Sequence, residues 1–295
     1  MTRGRLAGGI GVLSLALLLG GQQVRAQEGA AWYEQARRGR EYRVPDAVEL
    51  AAAQRLFVRT LTGEEGESLA ADWKAFGFEL RSLPAANGPL LVLQERPEAR
   101  RGRGFYLLRR SGAVGLCWQA PHSFRDEGTG ALALLLMQEG RAFAASWNTV
   151  PRDLDPAGHS DLAHAEESYL TAFTRALLQV RPQLRVVQLH GFAKHKRITA
   201  AGNNADLILS GGERSPDPPL TGLGDCLQRA LPLPVRLYPS QVRELGGTSN
   251  RIGRLLRQGG AGDFLHLEMS PDLRSLLRTE DSFRRNFAAC LGDQP

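Results

Sequence analysis

The sequence predicts an α/β protein: a mixed, mostly parallel sheet with helices on both faces, preceded by a small helical N-terminal region. Three observations predict it. From Gly115 onward, short apolar runs bounded by Gly, Pro or charge alternate with longer segments of helical period. One of those segments, Asp161 to Val180, repeats Leu162, Ala165, Tyr169, Phe173, Leu177 and Val180 at three- and four-residue steps, the stripe of a helix laid on a sheet. The 295 residues, 42% hydrophobic and 23% charged, suffice for a sizeable core.

In chain order, Arg3 and Arg5 precede an apolar run from Leu6 to Leu19, and Val24-Arg25-Ala26 follows with small residues where a signal peptidase reads. This is the arrangement of a secretory signal peptide cleaved after Ala26; the run is short of the ~20 residues a spanning helix needs. Export, to a periplasm in a double-membrane bacterium, is the expectation, with no stable membrane insertion after cleavage. Residues 27–43 read as a polar, arginine-rich lead-in. Asp46 to Thr60 and Ser68 to Phe76 read as helices, and residues 27–85 together as a helical N-terminal region. Residues 86–295 then form the α/β domain. It starts with an antiparallel pair, Leu90–Leu93 and Phe105–Leu108, joined by an exposed charged turn. Strands are expected at Leu116–Ala120, Phe143–Trp147, Val186–Leu189, Asp206–Leu209, Val235–Tyr238 and Phe264–Leu267. Helices are expected at Thr129–Gln138, Asp161–Val180, near 220–230 and over 271–291.

The formal charge is +6, but three arginines lie in residues 1–26; without them 34 bases face 31 acids. So small an excess, with no basic block beside aromatics, excludes a nucleic-acid partner as the reading. Three cysteines exclude a disulfide-built scaffold and a Cys₄ zinc site. In an oxidising compartment Cys226 and Cys290 could pair, whereas Cys117 sits in an apolar run and reads as a buried thiol.

Open α/β sheets gather their chemistry where strands end. Strand Leu116–Ala120 ends in Pro121-His122, followed by Asp126-Glu127-Gly128-Thr129. Strand Val186–Leu189 ends in His190-Gly191, and Phe264–Leu267 in Glu268-Met269-Ser270. A mononuclear catalytic zinc takes two imidazoles, a carboxylate and an open position, with a further carboxylate to move the proton. His122, Asp126 and His190 are therefore the candidate ligands and Glu268 the candidate base, although Asp126 can equally cap the helix that follows. His164 is expected to line the site beside the ligands. His159 and His195 read as solvent-exposed, and His266, between Leu265 and Leu267, is expected on the opposite sheet face. Arg251 and Arg274 are candidate anchors for a substrate carboxylate, because the guanidinium fork matches it, with Asn250 orienting substrate or Arg251. His-Glu-x-x-His, Gly-x-Ser-x-Gly and phosphate-loop motifs are absent from the sequence.

Six short stretches recur in a telling order: Ala120-Pro121-His122 with Gly128-Thr129, Asp161 with His164, Leu189-His190-Gly191, Leu209-Ser210-Gly211-Gly212, Asn250-Arg251, and Leu267-Glu268-Met269-Ser270 with Leu273-Arg274. Over roughly residues 115–279 this order resembles the poly-gamma-glutamate hydrolase-like proteins, a group related to the zinc carboxypeptidases. The resemblance implies a phosphorylase/hydrolase-like fold, one zinc ion on His122, an acid before Gly-Thr and His190, and Glu268 as the catalytic carboxylate. The family's acid is a glutamate; here Asp126 and Glu127 are adjacent, and Asp126 holds the family's offset from Gly-Thr. Asp161, His164 and Glu127 then fall just outside the ligand set. The function so implied is an exported zinc-dependent amide or peptide hydrolase acting on gamma-glutamyl or cell-wall peptide bonds. Alternatives are an N-formylglutamate-type amidohydrolase and an inactive periplasmic binding protein.

Overall fold

The protein is described here from a computed structural model, for residues 27–215, 218–260 and 262–293. The signal-peptide expectation lies outside the described residues. Helix α1 (residues 27–36) is followed by α2 (Ala47–Leu61), α3 (Glu67–Ala75) and strands β1 (Phe78–Leu83), β2 (Leu90–Glu95), β3 (Phe105–Arg109) and β4 (Val114–Ala120). Then come α4 (Thr129–Glu139), β5 (Ala142–Trp147), α5 (Tyr169–Val180), β6 (Arg185–Gly191), α6 (Ala200–Asn203) and β7 (Leu207–Ser210). The chain finishes with α7 (Pro218–Ala230), β8 (Val235–Leu237), α8 (Arg251–Gly259), β9 (Asp263–Met269), α9 (Pro271–Thr279) and α10 (Asp281–Cys290).

All nine strands join one sheet, in the order β1-β2-β3-β5-β4-β6-β9-β7-β8. The sheet is mixed as expected, but its pairings divide evenly, four parallel and four antiparallel. Short links set two of the four antiparallel pairs: two hairpin connections make β1 to β3 a meander, since neighbouring strands joined by a few residues can only reverse. The parallel half, β5-β4-β6-β9, carries the strand ends that the sequence marks as functional.

Period-two alternation divides each central strand between two cores. Trp118, Val187, Leu189, Leu265 and Leu267 face α4, α7, α9 and α10, whose Leu132, Leu227, Leu273 and Phe287 are buried in the same cluster. Cys117, Val186 and Phe264 face the other way, onto Phe57 of α2, Phe173 of α5 and Ile252 of α8. Phe57 lies 5.0 Å from both the Trp73 and Phe173 rings, so the N-terminal helices and the central sheet share one packed aromatic group.

Some elements differ from expectation for local reasons. Residues 27–43 are no loose lead-in: 27–36 are helical, because Gly29, Tyr33 and Ala36 recur at helical spacing and bury against the sheet. The helix expected from Asp161 begins only at Tyr169. Ser168 ends the preceding turns as a capping box, its hydroxyl accepting from the Thr171 amide while the Thr171 hydroxyl accepts from the Ser168 amide. Residues 271–291 form two helices, broken at Glu280, which has extended backbone (φ −110°, ψ 100°). Strand β1 was not foreseen. Cys226 of α7 and Cys290 of α10 form a disulfide, and Cys117 is a buried thiol. Among the described residues no helix is long and apolar enough to cross a membrane.

Candidate metal centre

Three adjacent parallel strands, β4, β6 and β9, deliver the candidate residues to one rim. Beyond β4 the chain makes a tight turn in which the Arg125 and Asp126 amides both donate to the His122 carbonyl at 2.9 Å. That turn places residues 122 and 126 on one side, with His122 Nδ1 3.8 Å from Asp126 Oδ2. Asn148, just past β5, clamps the turn by accepting from the Ser123 amide and hydroxyl at 2.9 and 2.8 Å. His190 is the penultimate residue of β6, and its Nδ1 lies 3.2 Å from the same Asp126 Oδ2. The two imidazole centroids are 4.9 Å apart, at 77°. One ligand atom from each of His122, Asp126 and His190 falls within 4.8 Å of the others, and all three residues are buried.

In both rings the remaining nitrogen is already engaged. His122 Nε2 lies 2.7 Å from Asp161 Oδ1, and His190 Nε2 lies 3.2 Å from Gln188 Oε1. Each imidazole therefore turns Nδ1 toward Asp126. A hydrogen-bonded far nitrogen is what a ligand imidazole requires, and the near ones face Asp126 and, at His122, Arg152 as well. Arg152, an exposed residue beyond β5, places Nη1 3.2 Å from His122 Nδ1, so this edge already attracts a cation. The donor set, two imidazoles and one carboxylate on one small volume, fits a divalent zinc-like ion, with Arg152 giving way.

Glu268 lies beside this group, paired in register with His190 across β6 and β9. Burial, and secondarily the Asp126 charge, push its carboxyl up to about 8. Its Oε2 is buried without a hydrogen-bond partner. Asp126 goes the other way: burial opposes its charge, but His190, His122 and the Gly191 amide together hold it below the ordinary carboxylate range. Asp161, between His122 and His164 at 2.7 and 3.1 Å, is likewise held low despite burial. Burial lowers His190, and lowers His266 further with the neighbouring imidazoles helping.

Of the sequence candidates, His122, Asp126, His190 and Glu268 come together. Asp161 and His164 sit behind His122, with His164 half exposed. His159 and His195 are exposed as expected. His266 is a correction: it stacks on His190 at 4.5 Å, and its Nδ1 is buried without a partner. Residues 266 and 268 must share a face of β9, and that period was the signal available. Arg274 is buried, donates to the Met269 carbonyl at 2.6 Å and feels the charges of Asp126, Glu268 and Glu127. Arg251 instead faces Glu166 and Glu167, at 3.0 and 3.8 Å. Asn250 is buried as the cap of α8, its Oδ1 accepting from the Ile252 and Gly253 amides. Asn250 also donates to Gln188 Oε1 at 2.6 Å, which in turn lies 3.2 Å from His190 Nε2.

Beneath the site runs a polar chain the sequence reading missed. Gln119 of β4 and Gln188 of β6 are register partners, fully buried and linked at 2.9 Å. A glutamine at the site-facing position of each otherwise apolar strand was the visible trace.

No family model matches the sequence, and no curated protein matches it. Among solved structures the chain is similar to an N-formylglutamate amidohydrolase from Ralstonia eutropha JMP134. They share 16% identity over 64% of this chain and 95% of that one, with a TM-score of 0.39. It is also similar to an aspartoacylase family protein from Mesorhizobium loti, at 17% identity over 74% of this chain and 62% of that one, with a TM-score of 0.36. Likenesses this shallow leave the functional reading to the site's own residues.

Proposed function

We propose that the protein is a metal-dependent hydrolase of amide bonds, with zinc held by His122, Asp126 and His190 and Glu268 as the proton-transfer group. The observation that carries this reading is the convergence of those three ligand atoms within 4.8 Å, beside a buried Glu268 whose Oε2 has no partner. Zinc at this position would supply Lewis acidity to a substrate carbonyl and to water. Glu268, once ionised beside the cation, would take a proton from the attacking water and return it to the departing nitrogen. Asp161 and Gln188 keep the two imidazoles oriented. Arg274, with Nε unpartnered and its charge directed at the same basin, is the anchor for a substrate carboxylate. Arg251 and Asn250 are not part of this reading, since Glu166, Glu167 and α8 already engage them.

The substrate class we favour is a peptide or gamma-glutamyl amide bearing a free carboxylate, as the motif order of the sequence implies. An N-formylglutamate-type amide shares that chemistry. The charged lead of residues 1–26 and the Cys226–Cys290 disulfide support an exported, periplasmic protein. The deciding experiment supplies zinc-loaded protein with gamma-glutamyl oligomers, cell-wall peptides and N-formylglutamate, and measures amine release. Hydrolysis of one class, lost on removing zinc with a chelator and restored by adding it back, supports the proposal. Ligand binding without any hydrolysis under those conditions would instead identify a binding protein.

A further inference from the structure

After His190 the chain continues as Gly191-Phe192 beside the end of β9, and a guanidinium stands against each of these two residues. Arg274 lies on Gly191, where a Cβ would stand 2.0 Å from its Nη1, so glycine is what leaves it room. Arg197 lies over the Phe192 ring, its Cζ 5.9 Å from the centroid. One carbonyl ties the two places together: Met269 O accepts from Arg274 Nη1 at 2.6 Å and from the Phe192 amide at 3.1 Å. Met269 directly follows Glu268, so both arginines border the proposed proton-transfer group. Their charges are felt there. Burial and Asp126 raise the Glu268 carboxyl, and of the arginines opposing them Arg197 is foremost and Arg274 next.

The loop that carries Arg197 is held on both sides of it. Lys194 Nζ donates to Asp206 at 2.7 Å, and Asp206 also accepts from the Ser270 hydroxyl, the cap of the helix on which Arg274 stands. Glu244 accepts from the Thr199 amide and hydroxyl. Arg197 itself meets Glu244 only at 3.4 Å, on an oxygen that also accepts from the Ile198 amide. The Nε atoms of Arg197 and Arg274 are both buried without a partner. Arg251 is the contrast, since its Nε already meets the Glu166 carbonyl and carboxylate at 2.9 and 3.0 Å. A buried guanidinium donor with no acceptor carries its desolvation uncompensated, and an anionic ligand relieves it.

We propose that Arg197 is a specificity-determining residue, which together with Arg274 selects substrates carrying two carboxylates over those carrying one. The two forks stand on separate elements, over successive residues of one strand end, so each can take its own carboxylate. The place of this selection in catalysis rests on the proposed hydrolase; the recognition of a dianion does not.

The test titrates the metal-free protein by calorimetry with succinate, glutarate and adipate, and with butyrate, valerate and hexanoate as monocarboxylates of matching length. Wild type should bind at least one dicarboxylate about tenfold or more tightly than its monocarboxylate partner. Arg197→Gln should abolish that preference, weakening the dicarboxylate by about 10–100-fold and leaving the monocarboxylate within about twofold. A merely structural arginine would weaken both ligands alike. If Arg197→Gln does not fold, Arg197→Lys takes its place; it keeps the charge without the fork, and the preference should again be lost. No preference for any dicarboxylate in wild type, or an undiminished preference in a folded Arg197 variant, overturns the inference. So does an equal loss of both ligands. A dicarboxylate preference in a protein that hydrolyses no amide when zinc-loaded supports the inference and overturns the hydrolase, so the two failures are distinct.

Discussion

At Glu268 and Asp126 two carboxyl groups share one basin, and their surroundings drive them apart. Asp126 is held charged by two imidazoles and an amide, while Glu268 is pushed up to about 8 by burial and by Asp126 itself. A pair divided in this way marks one carboxylate for holding and the other for proton transfer. Glu268→Gln keeps the shape and removes the proton exchange, so zinc uptake should be unchanged while kcat falls by about 10²–10⁴-fold, measured on whichever amide the wild type hydrolyses. Arg274→Ala should instead raise KM about tenfold or more with a smaller effect on kcat, a split that steady-state kinetics reads directly. At this scale the sequence shows much of the site. His122, His190 and Glu268 leave apolar strands at their ends, and that position is visible in order alone. His266 and Gln188 were equally accessible, since each stands two residues from a site residue on the same strand. The partners of Arg251 and Asn250 were not, because nothing in their order reveals the two glutamates that face one or the helix cap formed by the other.

Among elements, the segments between strand and helix decide where the site residues stand. The capping box at Ser168 starts α5 late and leaves 161–168 as turns, which lets Asp161 reach His122 instead of being wound into a helix. Ser168→Ala should cost about 1 kcal/mol, measured by urea denaturation. The repeat over 161–180 hid that start, since an apolar stripe can continue through turns that pack the same core. The loop after β8 is tied by Glu244. Its carboxylate accepts from the Thr199 hydroxyl and amide at 2.6 and 3.1 Å and pairs with Arg197 at 3.4 Å. Burial opposes its charge, but the Thr199 and Ile198 bonds and Arg197 outweigh that and hold its pKa below the ordinary value. A depressed carboxylate stabilises the fold above its unfolded value of about 4.3, and that contribution is lost as pH falls through the lower folded value. Glu244→Gln should thus lower Tm at pH 7, and the gap to wild type should close as the pH is brought below about 4.

For the whole molecule, the sheet and both its covers act as one unit. Helix α1 buries Tyr33 about 6 Å from Phe105 and Trp147 on one face, while α2 and α3 pack Phe57 and Trp73 on the other. We therefore expect that removing residues 27–85 leaves a chain that aggregates rather than a lidless enzyme, a result that gel filtration will show. The disulfide spans 64 positions and joins α7 to α10. Replacing both cysteines by serine should cost about 2–4 kcal/mol, most of it through a freer unfolded chain, with the candidate site on the other side of the sheet unaffected. Strand and helix alternation was legible across this scale because burial on both faces leaves unbroken apolar runs. The even division between parallel and antiparallel pairs was not, since the same runs suit either direction, and β3–β5 and β7–β9 are antiparallel although whole elements separate them along the chain. Zinc titration of metal-free protein by calorimetry, for wild type and for His122→Ala and His190→Ala, tests the central claim most directly. The account predicts about one ion per wild-type chain and at least 100-fold weaker binding in each variant; equal binding in all three proteins, or none in wild type, would contradict it.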